Sequence, residues 1–124
     1  MSILNNKQSV SRPYSDSVLV NNFLFISGQI GINKSTGKLV TADFEREAIQ
    51  VMENIKSLLD KENLTFSDLV SVTIYLKTMD HYQLLNNIYA SFFEDEFPAR
   101  VCIAVADLPL NAQVEIAATA AIRS

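Results

Sequence analysis

Three side chains toward the C-terminal end carry most of the chemistry this sequence can offer: Arg100, Cys102 and Glu115. An arginine presents a planar fork of N–H donors that fits a carboxylate. A positioned glutamate can take a proton or hold a water for attack. A charge-assisted bond to arginine contributes about 1.5–3 kcal/mol, and a positioned base roughly 10²–10⁴ in rate. Cys102 would line the wall between the two. The plain alternative is an ordinary strand-end arginine and a solvated strand glutamate, the commoner meaning of such a pair.

The remaining candidates are weaker. His81 follows Asp80 at the expected start of a helix and reads as a surface or capping residue. Ser27-Gly28-Gln29 can turn backbone N–H groups toward an anion, although a lone glycine more often marks a turn or a bulge. Tyr14 follows Pro13, which favours an extended segment that packs at a sheet edge. Cys102 on a strand reads first as a small core-like residue. No Gly-rich phosphate loop is present.

Composition narrows the classes. The 124 residues suit one domain over residues 1–124, and 48% are hydrophobic against 19% charged, the balance of a soluble globular chain. Ten Lys/Arg against fourteen Asp/Glu leave a net charge of −4, which argues against non-specific nucleic-acid binding. One Cys and one His make neither an intramolecular disulfide nor the usual Cys/His zinc site. The longest apolar run, residues 101–106, is far shorter than the roughly 20 residues of a membrane helix. The first residues are polar after Leu4, so the expectation is a cytoplasmic protein with no secretion signal and no metal.

The elements that must position these side chains follow from periodicity. Residues 1–11 read as an extended or loosely ordered arm. Strands are expected over 17–20 and 23–27, joined by Asn21-Asn22 in a type I′ turn. A turn at Lys34-Ser35-Thr36-Gly37 precedes a short extended Leu39-Val40. Residues 43–63 repeat apolar positions every three or four residues, an amphipathic helix that Asp43 or Thr41 can cap and Asn63 can end. Residues 69–76 alternate as a half-buried strand. A second helix is expected from about 80 to 93, ending before the unfavourable acidic run Glu94-Asp95-Glu96. Strands over 100–106 and 113–122 close the chain. The order β-β-α-β-α-β-β predicts an α+β domain, one mixed sheet with both helices on one face.

Strand parity then places the candidates. Val101, Ile103 and Val105 form an apolar trio expected to meet the helices, which would turn Arg100 and Cys102 to the other face, beside Glu115. If the last two strands pair as a hairpin, Arg100 lies near its open end and Glu115 near its turn. They would share a cleft or meet across an interface. On the last strand the outward set Gln113, Glu115, Ala117, Thr119 and Ala121 holds a single charge, and a face so poor in charge predicts an oligomer.

Pro13-Tyr14-Ser15, Phe25-Ile26-Ser27-Gly28-Gln29-Ile30-Gly31, Phe97-Pro98-Ala99-Arg100, Leu108-Pro109 and Val114-Glu115-Ile116 occur in the order and spacing of one known family. From about Arg12 to Ile122 the chain resembles the RidA/YjgF imine deaminases. The resemblance implies a chorismate-mutase-like fold and a homotrimer with clefts between subunits. It implies cofactor-independent hydrolysis of enamines and imines, such as 2-aminoacrylate and 2-iminobutanoate, to 2-keto acids and ammonia. It assigns Arg100 to the substrate carboxylate and Glu115 to the attacking water. Cys102 becomes a pocket wall, Tyr14 an aromatic wall, Ser27 and Gly28 the turn beside the ligand, and Asn86 a pocket-side residue of the second helix.

Four positions depart from the family pattern: Arg12 for a Gly, Asp16 for a Gln, Val101 for a small polar residue and Ala117 for a second Glu. Asp16 brings a negative charge toward an anionic ligand, so it bears on substrate preference. The competing function is a non-catalytic trimer that binds small 2-keto acids as a regulatory or protein-interaction (chaperone-like) module. The net charge disfavours a nuclease.

Overall fold

The computed structural model describes residues 12–123. The arm expected over residues 1–11 lies outside the described residues. Alternation of large apolar with polar or small residues produces the strands, and the run of threes and fours after Asp43 produces the longer helix. Strand β1 (Ser17–Val20) returns through Asn21-Asn22 into β2 (Phe23–Gln29). Asn21 adopts a positive φ of 54° but Asn22 does not, so the turn is not the expected type I′. A small hairpin of β3 (Ile32–Asn33) and β4 (Lys38–Leu39) follows, its loop held by the Asn33 side chain, which accepts from the Ser35 and Thr36 N–H groups.

Helix α1 (Phe44–Lys61) starts where expected. The Asp43 carboxylate accepts the Arg46 N–H at 2.8 Å. It ends at Asn63, whose φ of 59° takes the left-handed turn that asparagine tolerates. Strand β5 (Leu69–Leu76) occupies the expected span. The second helix is shorter than expected. A 3₁₀ turn at Met79–His81 leads into α2 (Tyr82–Ala90), and Phe92 and Phe93 lie beyond its end, packed on the core. Strands β6 (Ala99–Ala104) and β7 (Val114–Ala121) complete the chain.

The five-stranded sheet runs β1-β2-β7-β5-β6, with β5 and β6 parallel and the other neighbours antiparallel. The expected hairpin of the last two strands does not form. β7 instead enters the middle of the sheet between β2 and β5, and β6 lies at the edge. The reason is burial. Val114, Ile116, Ala118 and Ala120 on β7 are buried without exception, whereas every residue of β6 keeps some exposure. One core joins these residues to Val51, Met52, Ile55, Leu58 and Leu59 of α1 and Leu85, Ile88 and Tyr89 of α2.

The face away from the helices remains open. Phe23 and Phe25 on β2, Val18 and Val20 on β1, and Val101 and Ile103 on β6 are exposed there. The low charge expected of this face from β7 alone therefore extends across the whole sheet.

One charged residue lies inside the core. Glu47 of α1 is 1% exposed, and its carboxylate accepts the Gln113 N–H at 2.7 Å, just ahead of β7. Gly31 makes room for it, since a Cβ there would fall 2.9 Å from the Glu47 Cγ and 2.8 Å from its carbonyl oxygen. Burial pushes the Glu47 pKa up, opposed by the N–H groups of Gln113 and Val114 and by His81. A carboxyl with a raised folded pKa holds its proton more tightly in the folded chain. Folding stability therefore falls as pH rises from the ordinary glutamate range through the raised value. Glu47→Gln keeps an oxygen acceptor for Gln113 and removes the titration. We expect this variant to be at least as stable as the parent at neutral pH, with a flatter stability profile on the acid side, measured by denaturant unfolding across pH. A clear loss of stability at neutral pH would show that the charge itself is needed.

Candidate functional site

Two clefts hold Tyr14, Ser27, Gly28 and Glu115 in one and Asn86 and Arg100 in the other; they share no lining residue, and Cys102 lines neither. The first lies beside the junction of β2 and β7. Its walls are Tyr14, Ser27, Gly28, Ile30, Pro109 and Glu115, around about 290 Å³. Local structure explains the arrangement. The ladder between β2 and β7 pairs Ile26 with Ala118 and then Gln29 with Ile116, so Ser27 and Gly28 form a bulge. The Glu115 carboxylate lies against that bulge so closely that a Cβ on Gly28 would fall 1.9 Å from Oε2. Only glycine leaves this carboxylate its place.

The segment before β1 is pinned to the same bulge. Ser27 N–H donates to the Asp16 carbonyl at 2.8 Å, and Ser27 Oγ donates to the Ser15 carbonyl at 2.6 Å. Tyr14 is thereby held at the mouth of the cleft. Ser27 thus serves as a tether, its hydroxyl spent on the backbone. Burial raises the Glu115 pKa, and among the described residues no other charged side chain lines the cleft. A partly desolvated carboxylate is a better proton acceptor than one in water.

Asp16 does not stand as a free charge. Its Oδ1 accepts from Arg12 Nη2 at 2.7 Å, and the Arg12 guanidinium lies over the Tyr14 ring, 5.0 Å from its centroid. Two of the departures from the family pattern are thus partners. Both reach an adjoining hollow of about 500 Å³ that shares Tyr14, Gly28, Ile30 and Pro109 with the Glu115 cleft.

The second cleft, about 330 Å³, is lined by Asn86, Tyr89, Ala90, Phe97, Pro98 and Arg100. It lies on the helix side of the sheet. In the parallel ladder Arg100 stands beside Val72 and Cys102 beside Ile74, both buried beneath the helices. Arg100 Nη2 donates to Asn86 Oδ1 at 2.7 Å and to Tyr82 Oη at 3.4 Å. Val101 and Ile103 face the open side, 54% and 44% exposed.

The expected parity of β6 is therefore reversed. The apolar trio turns away from the helices, and Arg100 and Cys102 turn toward them. Arg100 and Glu115 lie on opposite faces of the sheet, two strands apart, and do not meet within one chain. Cys102 packs against the core edge, and burial raises its pKa against the opposing effect of Arg100. His81 stacks on Phe44 with ring centroids 4.3 Å apart and lines neither cleft.

Three participants escaped the sequence reading. Pro109 closes the Glu115 cleft from the turn before β7, and Tyr82 and Tyr89 flank Arg100. The tyrosines did carry a signal. With Asn86 they fall at i, i+4 and i+7, one face of a helix. Tyr89 was expected only as part of the apolar face.

Comparisons with known proteins bear on the family and the fold. The profile of the endoribonuclease L-PSP family matches residues 5–122. A RutC family protein of Aquifex aeolicus is 49% identical over 106 residues, 84% of each chain. The 2-iminobutanoate/2-iminopropanoate deaminase of Homo sapiens is 38% identical over 108 residues, covering 87% of this chain and 79% of that protein. The crystal structure of the YjgF gene product from E. coli superposes with a TM-score of 0.86 at 34% identity, over 91% of each chain. With a match that spans nearly the whole sequence and a shared fold, the chain belongs to the endoribonuclease L-PSP family, the RidA/YjgF proteins.

Proposed function

We propose that this protein hydrolyses small 2-imino acids, such as 2-iminobutanoate and 2-iminopropanoate, to 2-keto acids and ammonia. Arg100 of one copy binds the substrate carboxylate, and Glu115 of a neighbouring copy directs the water. The observation that carries this reading is the separation of the two half-sites. The Arg100 cleft and the Glu115 cleft lie on opposite faces, yet each is built of residues matching the family pattern. Packing the open face of one copy against another brings the two kinds of cleft within reach of each other. The exposed Phe23, Phe25, Val101 and Ile103 favour such packing. A cytoplasmic homotrimer with three clefts between subunits is the assembly we assign.

The chemistry asks little of the protein. A protonated imine carbon is already electrophilic, so the reading includes no cofactor. With the carboxylate on Arg100, water near Glu115 adds to the C=N carbon as Glu115 takes its proton. The resulting carbinolamine collapses as Glu115 passes that proton to nitrogen, the C–N bond breaks, and Glu115 takes up the hydroxyl proton as the C=O bond forms. The products are the keto acid and ammonia. Anchoring and alignment supply most of the gain. Tyr14 and Cys102 wall the bound molecule, Ser27 and Gly28 shape the turn beside Glu115, and Asn86 lies beside Arg100.

Ammonia release from imines generated in situ by an amino-acid oxidase tests this directly. Arg100→Ala should lower kcat/KM by roughly 10–150-fold, the equivalent of one charge-assisted bond. Wild-type turnover by that variant would reject the assignment. The wild-type rate should rise with pH through the raised Glu115 pKa as the carboxylate form takes over, and Glu115→Gln should remove this limb. Gly28→Ala should displace the Glu115 side chain and lose activity with little change in Tm, because the crowded atom is the end of a flexible chain.

Mixing tests the shared site. Arg100→Ala and Glu115→Gln chains, each impaired alone, should recover roughly a quarter of the wild-type rate after co-refolding, the share of interfaces that join two intact halves in a random symmetric oligomer. No recovery in mixed trimers would place both residues in the same copy's site.

A further inference from the structure

Arg100 is held from three directions before any ligand arrives. Asn86 Oδ1 and Tyr82 Oη both accept from Nη2, at 2.7 and 3.4 Å. The guanidinium carbon lies 5.0 Å from the centre of the Tyr89 ring and 5.7 Å from that of Tyr82. Both distances fall within the roughly 6 Å over which a ring face attracts a cation. All three partners project from α2, one turn apart, so a single rigid element sets the guanidinium plane.

Tyr89 is itself immobilised. It is 4% exposed, and its ring packs on Phe93 and Phe97 with centroids 4.8 and 6.3 Å apart. Its buried hydroxyl finds no hydrogen-bond partner among the described residues. Burial pushes its pKa up to about 12, against the pull of Arg100, so it stays a neutral phenol. The hydroxyl does not explain the tyrosine's place here; the ring face beneath a cation does.

We propose that Asn86, Tyr82 and Tyr89 are positioning residues for Arg100, and that Asn86 acts on a bound carboxylate through Arg100 rather than by touching it. This rests on the reading above that Arg100 binds the carboxylate. Of the five guanidinium N–H donors, two serve the clamp. The three on Nε and Nη1 have no partner among the described residues and remain for a ligand. A long arginine side chain loses much rotamer freedom when a ligand fixes it. The clamp moves that loss from binding to folding, which raises affinity without adding a contact. The Asn86 Oδ1 is already committed to Arg100, so the asparagine matters to the ligand by keeping the fork still.

Two measurements on the full chain test this. The first needs no ligand: ¹⁵N relaxation of the Arg100 Nε–H group. We expect an order parameter near that of the surrounding backbone, falling sharply in Asn86→Ala and in Tyr89→Leu. A mobile Arg100 in the wild type, or one unchanged in Asn86→Ala, would overturn the clamp. Asn86→Ala alone decides this point if Tyr89→Leu fails to fold.

The second is a double-mutant cycle on 2-ketobutyrate binding, followed by calorimetry. Asn86→Ala should weaken binding by about tenfold, the scale of one hydrogen bond to a charged group. It should add nothing when Arg100 is already alanine. Losses that simply add would mean that Asn86 touches the ligand directly, and the proposal fails. If Arg100→Ala binds 2-ketobutyrate as well as the parent, the carboxylate role of Arg100 falls instead, and the relaxation data still decide the clamp.

Discussion

The parallel register between β5 and β6 decides on which side of the sheet Arg100 lies. Partners in such a ladder face the same way, and Arg100 and Cys102 stand beside Val72 and Ile74. Those two residues are buried under the helices. Arg100 must therefore turn toward α2, and Val101 and Ile103 must turn out. A slip of one residue would exchange the two sets. It would expose Arg100 on the open face and bury two β-branched side chains at the core edge. The neighbours of Arg100, the separation from Glu115 and the apolar character of the open face all descend from this pairing.

The position of Glu115 has a different origin. β7 is the central strand, and its alternation is satisfied by burying Val114, Ile116, Ala118 and Ala120. Glu115 is carried to the other face by parity alone. Its height along the sheet is set by the contact between Glu47 and Gln113, which ties the start of β7 to α1. Its direction is set by the β2 bulge, where the absence of a Cβ leaves room for a carboxylate. A buried acid in the core and a bare backbone at the surface thus share the placement of one side chain.

Much of this was legible in the residues. The period of α1, its Asp43 cap and its Asn63 end, the span of β5 and the bulge at Gly28 follow from local chemistry and occur as expected. Phe92 and Phe93 fall inside the expected helix span but lie beyond the helix end, packed on the core. What local pattern could not carry was strand order. Short connections favour hairpins, so β6 and β7 looked like neighbours; β7 instead takes the central place, with the whole set Val114, Ile116, Ala118 and Ala120 buried. The parity of β6 failed for a related reason. Its apolar trio looked like a core-facing set because alternation alone marks two faces without saying which of them meets the helices, and Val101 and Ile103 lie on the open one. The family resemblance singles out Arg100, Glu115, Asn86 and Gly28 one by one. Their division between two faces depends on long-range pairing that no short window contains.

The ion pair between Arg12 and Asp16 shows how two substitutions can share one explanation. Each departs from the residue type that resemblance to the family leads one to expect at its position. Their side chains meet at 2.7 Å, both about half exposed. An exposed pair of this kind adds little to folding, about 0–1 kcal/mol at most, so its importance lies elsewhere. A lone aspartate at this mouth would repel an approaching anion, and a lone arginine would attract one. Joined, they present a nearly neutral rim. The two positions act as a single electrostatic unit: exchanging both charges for uncharged residues keeps the same approach field, and exchanging one does not.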